Sequence, residues 1–359
     1  MKIITLNQPH LFALSETEPP NSDALKPGEA LVRVHRVGVC GTDLHAYRGK
    51  QPFFSYPRIL GHELGVEVLE IRDWRLEINH EPNLNTQSLF SNPQSLSSGD
   101  RCSVEPYLNC GQCIACRNGK SNCCTSLRVL GVHTDGGMRE LITVPTHKLH
   151  KSSSLSYEQL ALIETLGIGA HAVDRAQLRA NEWVLVIGAG PIGLSTIQFA
   201  QLHTPNVIVM DISPQRLAFC GEQLRVPHLV RADQEPLKQI EALTNGDLPT
   251  AVFDATGNIT SMNGAFKYVA HGGKLVFVGL TQAEVSFDDP FFHRREITLL
   301  ASRNALSKDF PRIIQLVESG RINTRPWVTH RASANDMAEQ FDGWLKPETG
   351  VIKAVVSFT

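Results

Sequence analysis

The sequence predicts an α/β protein in two parts: a β-rich portion, and a doubly wound parallel sheet. Three observations carry this expectation. From about Asn181 onward, short apolar runs alternate with helical patterns. A glycine-rich turn, Gly188-Ala-Gly-Pro-Ile-Gly193, lies between one such run and the helix after it. Earlier in the chain, segments such as Ala30–Gly38 alternate apolar and polar residues in the manner of half-buried strands. At 359 residues the chain exceeds one typical core, so two domains are expected.

Ala30–Gly38 and Gly65–Ile71 are the first strands. From about Asp73 to Ser98 the pattern dissolves into Asn, Pro, Ser and Gln, which reads as an exposed insertion. Its apolar residues Trp74, Leu76, Leu89 and Phe90 could pin it down or make a subunit contact. Gly99-Asp100-Arg101 restarts a strand. Trp183–Ile187 is a continuous apolar run, as expected of a parallel strand buried on both faces. A helix follows from Pro191 to about Leu202, then the strand Val207–Met210. Ser213 and Pro214 supply an N-cap and a first-turn proline for the next helix. Ala251–Asp254 and Lys274–Val278 are further strands, separated by a helical stretch over Ile259–Ala270. The tail, Val351–Phe358, returns to strand character and is expected to pair back into the first part.

A net charge of −2 argues against a nucleic-acid or anionic-membrane partner, which would need a basic face. No apolar run reaches the roughly 20 residues of a membrane helix. The opening residues Met1–Asn7 are too soon polar for a signal peptide, so a cytoplasmic location is expected. Five of the eight cysteines cluster between Cys110 and Cys124, which favours metal-binding thiols over disulfides.

Cys110, Cys113, Cys116 and Cys124 fall at steps of three, three and eight residues. Four sulfurs can close a tetrahedral Zn²⁺ site completely, leaving no position for water or substrate, so such a site is structural. Upstream, Cys40-Gly-Thr42-Asp43-Leu-His45 is followed by Gly61-His62-Glu63. A thiolate and an imidazole suit Zn²⁺, and a third ligand plus water would complete a catalytic site. Taken singly, Cys40 reads better as a core thiol and His62 as a core histidine; the pair, with the cysteine cluster and a nicotinamide fold, reverses that reading.

Gly188-x-Gly190-x-x-Gly193 opens a helix after a buried strand, and Asp211 closes the following strand 23 residues after Gly188. This context is the dinucleotide fingerprint. Gly188 permits a tight turn, Gly190 admits the pyrophosphate, and Gly193 lets helix and strand approach. Asp211 can accept both ribose hydroxyls, and no Arg or Lys follows until Arg216, which favours NAD over NADP. The expected cofactor residues are Gly188, Gly190, Pro191, Ile192, Gly193, Asp211, Arg216 and Thr256.

Together these motifs resemble the zinc-containing medium-chain dehydrogenase/reductase superfamily, on its polyol dehydrogenase side, over almost the whole chain. The resemblance implies a GroES-like catalytic domain at 1–165 and 303–359, with a structural zinc lobe at about 105–125. It implies a Rossmann domain at 166–302 and an active site in the cleft between the two. Cys40 and His62 match the first two catalytic zinc ligands, and Glu63 the acidic neighbour that ligates the metal or stands behind it. Glu164, in Leu162-Ile-Glu164-Thr-Leu-Gly, falls where simple alcohol dehydrogenases place cysteine and polyol dehydrogenases place glutamate. Thr165 departs from the proline usual after it. A carboxylate there leaves the metal harder and more electrophilic; the alternative is a carboxylate at a helix start. Thr42 matches the hydroxyl that receives the proton, His45 the relay histidine, and Asp43 the carboxylate that orients His62. Cys124 rather than its neighbour Cys123 completes the lobe, as in the family. Two zinc ions per subunit, NAD, and a homodimer or homotetramer are implied.

The segments Ala46–Gly49, Val129–Arg139 and Ser302–Asn304 look most like the sugar-acid branch, which includes L-galactonate and L-gulonate 5-dehydrogenases. A hexonate needs a cation for its carboxylate, and Arg48, Arg139 and Arg303 are the candidates. Arg303 could instead reach the cofactor pyrophosphate. Tyr47 is expected as a hydrogen-bonding wall. The expected reaction moves hydride from a secondary hydroxyl of a sugar acid or polyol to NAD, giving a ketone. A threonine-type or simple alcohol dehydrogenase, or a non-catalytic binding relative, are the alternatives.

Overall fold

The computed structural model describes residues 1–51, 54–72 and 95–359. The insertion expected from Asp73, with Trp74, Leu76, Leu89 and Phe90, lies over 73–94 outside the described residues. The chain divides into two compact units, Met1–Glu164 with Leu306–Thr359, and Thr165–Ala305.

In the first unit the strand Glu29–Val39 is the hub. It pairs antiparallel with Glu63–Ile71, Leu141–Pro145 and Lys353–Ser357. Register shifts between Leu31 and Val32 and between Val34 and Arg36 bend it, so that one strand serves three partners. Arg101–Val104 and Leu149–Lys151 extend the sheet on one side and Val328–Ser333 on the other. The interior is aliphatic, with Val32, Val34, Leu64, Val66, Met138 and Val356 fully buried. Register is what builds the site: Gly38 faces Glu63, and Val39 faces Ala354. The residue after the hub strand, Cys40, is thereby delivered beside Glu63 and Lys353. The C-terminal strand pairs back into this unit, as its apolar run requires.

The second unit holds six parallel strands in the order His228–Arg231, Val207–Asp211, Val184–Ile187, Ala251–Asp254, Lys274–Phe277 and Thr298–Ala301. All four residues of Val184–Ile187 are buried, which is why this strand carries no polar alternation. The chain order reverses beside this strand, and ligands of such sheets sit at the carboxyl ends of the strands there. The helix expected over Ile259–Ala270 stops at Ala265 and tightens into a 3₁₀ turn at Phe266–Tyr268, which places both aromatic rings in the core. Among the described residues no helix is long and apolar enough to cross a membrane.

Candidate active site

Cys40 caps the helix Gly41–Tyr47. Its Sγ accepts the Thr42 N–H at 3.1 Å, and its own N–H donates to Asp43 Oδ2 at 2.9 Å. The sequence Cys-Gly-Thr-Asp is thus a capping box with a thiol where serine usually stands. The thiol lies 3.0 Å from His62 Nε2. On the other side of the imidazole, Nδ1 is 3.8 Å from Asp43 Oδ1, and both atoms are buried without a hydrogen-bond partner. Ligand atoms of Cys40, His62 and Glu63 lie within 4.8 Å of one another. Burial would lower the pKa of His62, but Cys40 and Asp43 carry it well above the usual imidazole value. Burial also raises Cys40 and Asp43. A half-buried thiol, a buried imidazole and a buried carboxylate with donor atoms this close fit a thiophilic divalent metal, with Nε2 as the imidazole donor on the Cys40 side.

Glu164 lies outside that group of mutually close donor atoms. It is buried, and its Oε1 accepts a hydrogen bond from the Tyr107 hydroxyl. Burial raises its pKa, and the charge of His62 opposes the rise. Glu63 is engaged otherwise. Both its oxygens accept from Lys353 Nζ, at 2.6 and 2.7 Å, and the ammonium reaches Val39 O at 3.4 Å. A Cβ at Gly38 would stand 2.0 Å from Glu63 Oε2, so the hub strand must carry glycine there.

The ligand atoms of Cys110, Cys113, Cys116 and Cys124 also lie within 4.8 Å of one another. Backbone N–H groups aim at these sulfurs: Cys110 N donates to Cys124 Sγ at 3.3 Å, and Cys113 N to Cys110 Sγ at 3.4 Å. Backbone donors from Cys116 and Thr125 bring the Cys113 thiol down to about 5, while burial pushes Cys116 up to about 11. Cys123 stands outside the group, and all eight cysteines are unpaired. Four thiols converging in this way match a closed zinc site.

In the second unit Gly188 adopts a φ of 95°, which a side chain would resist. A Cβ on Gly193 would fall 1.7 Å from Gly188 O. At Gly190 only the Arg216 guanidinium, at 3.7 Å, comes near, so the backbone is open to an approaching group. The turn leads into the helix Pro191–Gln201, whose first turn includes Ile192. Asp211 Oδ2 accepts from Ala189 N at 2.6 Å and Oδ1 from Ser213 N at 2.7 Å. Each oxygen is aimed by one backbone donor and keeps a lone pair for a ribose hydroxyl. Thr256 packs its methyl against Gly188 and donates its hydroxyl to Asp254 at 2.6 Å. This cradle fits a dinucleotide.

Residues 26–154 match the alcohol dehydrogenase GroES-like domain, and residues 191–319 the zinc-binding dehydrogenase domain. The chain is 38% identical to L-galactonate-5-dehydrogenase of Escherichia coli K12, covering 100% of this chain and 99% of that protein. The chain belongs to the zinc-binding alcohol dehydrogenase family. An L-arabinitol 4-dehydrogenase of Aureobasidium melanogenum is 31% identical over 98% of this chain and 94% of its own length. The crystal structure of the rspB alcohol dehydrogenase of Escherichia coli CFT073, complexed with NADH, matches with a TM-score of 0.85. It is 29% identical and covers 100% of this chain and 99% of its own. This chain is therefore an oxidoreductase of the zinc-binding dehydrogenase type.

The substrate residues expected from the sequence fare unevenly. Tyr47 lies in the core of the first unit. It is 3% exposed and packed among Phe12, Phe341 and His10, with its hydroxyl turned to Asp342. Arg48 is exposed, and its Nη2 donates to Leu345 O at 3.2 Å, just after the helix Met337–Trp344. Arg303 belongs to the second unit and is exposed. Arg139 is half-buried, its Nε without a partner, one residue from Met138, whose backbone contacts Gly61 beside His62. Thr42 is half-buried, and His45 is exposed, its pKa lowered by partial burial and by Arg48 and Lys50. Sequence reasoning missed Lys353 and Tyr107. A lysine inside the apolar run Val351–Phe358 was a signal for the first; nothing in the spacing marked the second.

Proposed function

We propose that this dehydrogenase oxidises a secondary hydroxyl of a sugar acid to the ketone, passing hydride to NAD. The observation that carries this reading is the identity of 38% with L-galactonate-5-dehydrogenase over the full length of the chain. Cys40, His62 and Glu164 would hold the catalytic zinc, and the four lobe cysteines a structural one. Bound zinc supplies Lewis-acid polarisation that makes a hydroxyl easier to deprotonate. The chain does the rest. Asp43 orients His62, and Glu63, committed to Lys353, stands behind the ligands as a compensated charge. Thr42 takes the hydroxyl proton and passes it to His45, an exposed imidazole from which it can leave to solvent. Gly188–Gly193 would hold the pyrophosphate of NAD and Asp211 a ribose, and the bound cofactor would supply the hydride acceptor that turns the substrate alcohol into a ketone. Arg216 and Thr256 border the same cradle. Arg139, half-buried with its Nε unpartnered, is the cation proposed to meet a substrate carboxylate. The reading also takes the enzyme as a cytoplasmic homodimer or homotetramer.

The test is NADH formation with a panel of hexonates, neutral polyols, threonine and short alcohols. Highest kcat/KM with a hexonate is expected. Highest kcat/KM with a neutral polyol would remove the sugar-acid assignment, and no turnover with any member would remove the catalytic one.

A further inference from the structure

Tyr107 lies outside the set of ligating groups, yet it is 2% exposed and spends its hydroxyl on Glu164 Oε1. A buried phenol needs a partner for its O–H, and a carboxylate acceptor makes the bond charge-assisted. The ring is braced from its other side. Phe310 meets it edge-on at 6.4 Å and stacks on His150 at 4.7 Å, and His150 Nε2 lies 3.4 Å from Glu105 Oε2.

The backbone is fixed as well. Tyr107–Leu108 pairs with Arg128–Val129, which puts Tyr107 opposite Val129. Two residues on, Asn109 Oδ1 accepts from Lys148 Nζ at 3.0 Å, while its Nδ2 stands 3.8 Å from Cys116 Sγ. Cys110 follows directly. The four residues 107–110 therefore reach Glu164 at one end and the cysteine lobe at the other.

We infer that Tyr107 is a positioning residue for Glu164, and that through it the cysteine lobe sets the geometry of the catalytic metal site. The inference rests on reading Glu164 as the third ligand. With the phenol hydroxyl on Oε1, Oε2 would be the oxygen freer to meet the cation, and the bond would restrain the swing of the carboxylate. The lobe strand that carries the phenol cannot move without moving that carboxylate.

Tyr107→Phe tests this, because it keeps the ring against Phe310 and removes only the hydroxyl. Wild-type protein is expected to carry two zinc ions per chain. The variant should keep its melting temperature and its lobe zinc, but release the second zinc to a chelator about 10-fold faster, as the loss of an outer hydrogen bond to a ligand does. With cobalt in that site, its visible spectrum should shift as Glu164 changes its hold. Unchanged release and an unchanged cobalt spectrum would overturn the inference. So would loss of both metals with a fallen melting temperature, which is the mark of a packing role. A wild-type protein with lobe zinc alone would instead overturn the reading of Glu164, and the inference with it.

Discussion

Lys353 and Glu63 have side chains only 0% and 1% exposed and bind each other through both carboxylate oxygens. Removing one partner of such a pair strands the other charge in the interior, at a cost of about 3–5 kcal/mol. Lys353→Met should therefore lower the unfolding free energy by about that much, and adding Glu63→Gln should recover most of it. Denaturant curves of the two variants read this directly; a single variant as stable as wild type would rule the pairing out. Cys40→Ser should lose turnover while NADH still quenches the protein's fluorescence on binding, because the cofactor turn belongs to the other unit. Near-wild-type turnover would remove Cys40 from the ligand set. At this scale the sequence displays donor types and spacing but not direction. Cys40, His62 and Glu63 were legible because few other reasons place such residues together. The burial of Tyr47 was legible in helical geometry: Asp43, Ala46 and Tyr47 are spaced i, i+3, i+4, and all three are buried.

Among the elements, the cysteine lobe depends on a polar network that the sequence hides. Lys148 Nζ binds Glu105 Oε1 at 2.5 Å, and His150 Nε2 approaches Oε2, across separations of 43 and 45 residues. No periodicity reports contacts that distant. Burial would raise the Glu105 carboxyl, but His150 and Lys148 bring it down to about 2. A carboxylate depressed in the folded state stabilises it fully above the unfolded pKa, near 4.5. That contribution, about 3 kcal/mol, fades as pH falls from there through about 2. Glu105→Gln should be less stable than wild type at neutral pH, with the gap narrowing as pH falls through this window. Comparing the two proteins cancels the acid lability of the zinc itself. A gap that stayed constant with pH would show that Glu105 does not titrate in this way. The spacing of the four cysteines was legible because four sulfurs near one ion leave few alternatives. The strand Tyr107–Leu108 was not, since two residues are too few to carry a pattern.

For the molecule as a whole, the parallel sheet could be read ahead of its coordinates. Runs such as Val184–Ile187, buried on both faces, followed by helices with caps and a first-turn proline, allow little besides a doubly wound sheet. The discontinuous first unit was legible only through its returning C-terminal strand. Substrate choice was the least legible property, because it depends on where packing directs each arginine, which spacing does not report. Arg139→Ala should raise KM for a hexonate about 10-fold or more while leaving a neutral polyol nearly unaffected, since only the first offers a carboxylate. Equal effects on both substrates would remove Arg139 from recognition. The central claim is that two metals sit in this chain, one in the cysteine lobe and one between Cys40, His62 and Glu164. An anomalous difference map from crystals of the native protein, collected at the zinc edge, examines it most directly. Two peaks are predicted, at the lobe and within bonding distance of Cys40 Sγ, His62 Nε2 and a Glu164 oxygen; a map with a lobe peak alone would contradict the account.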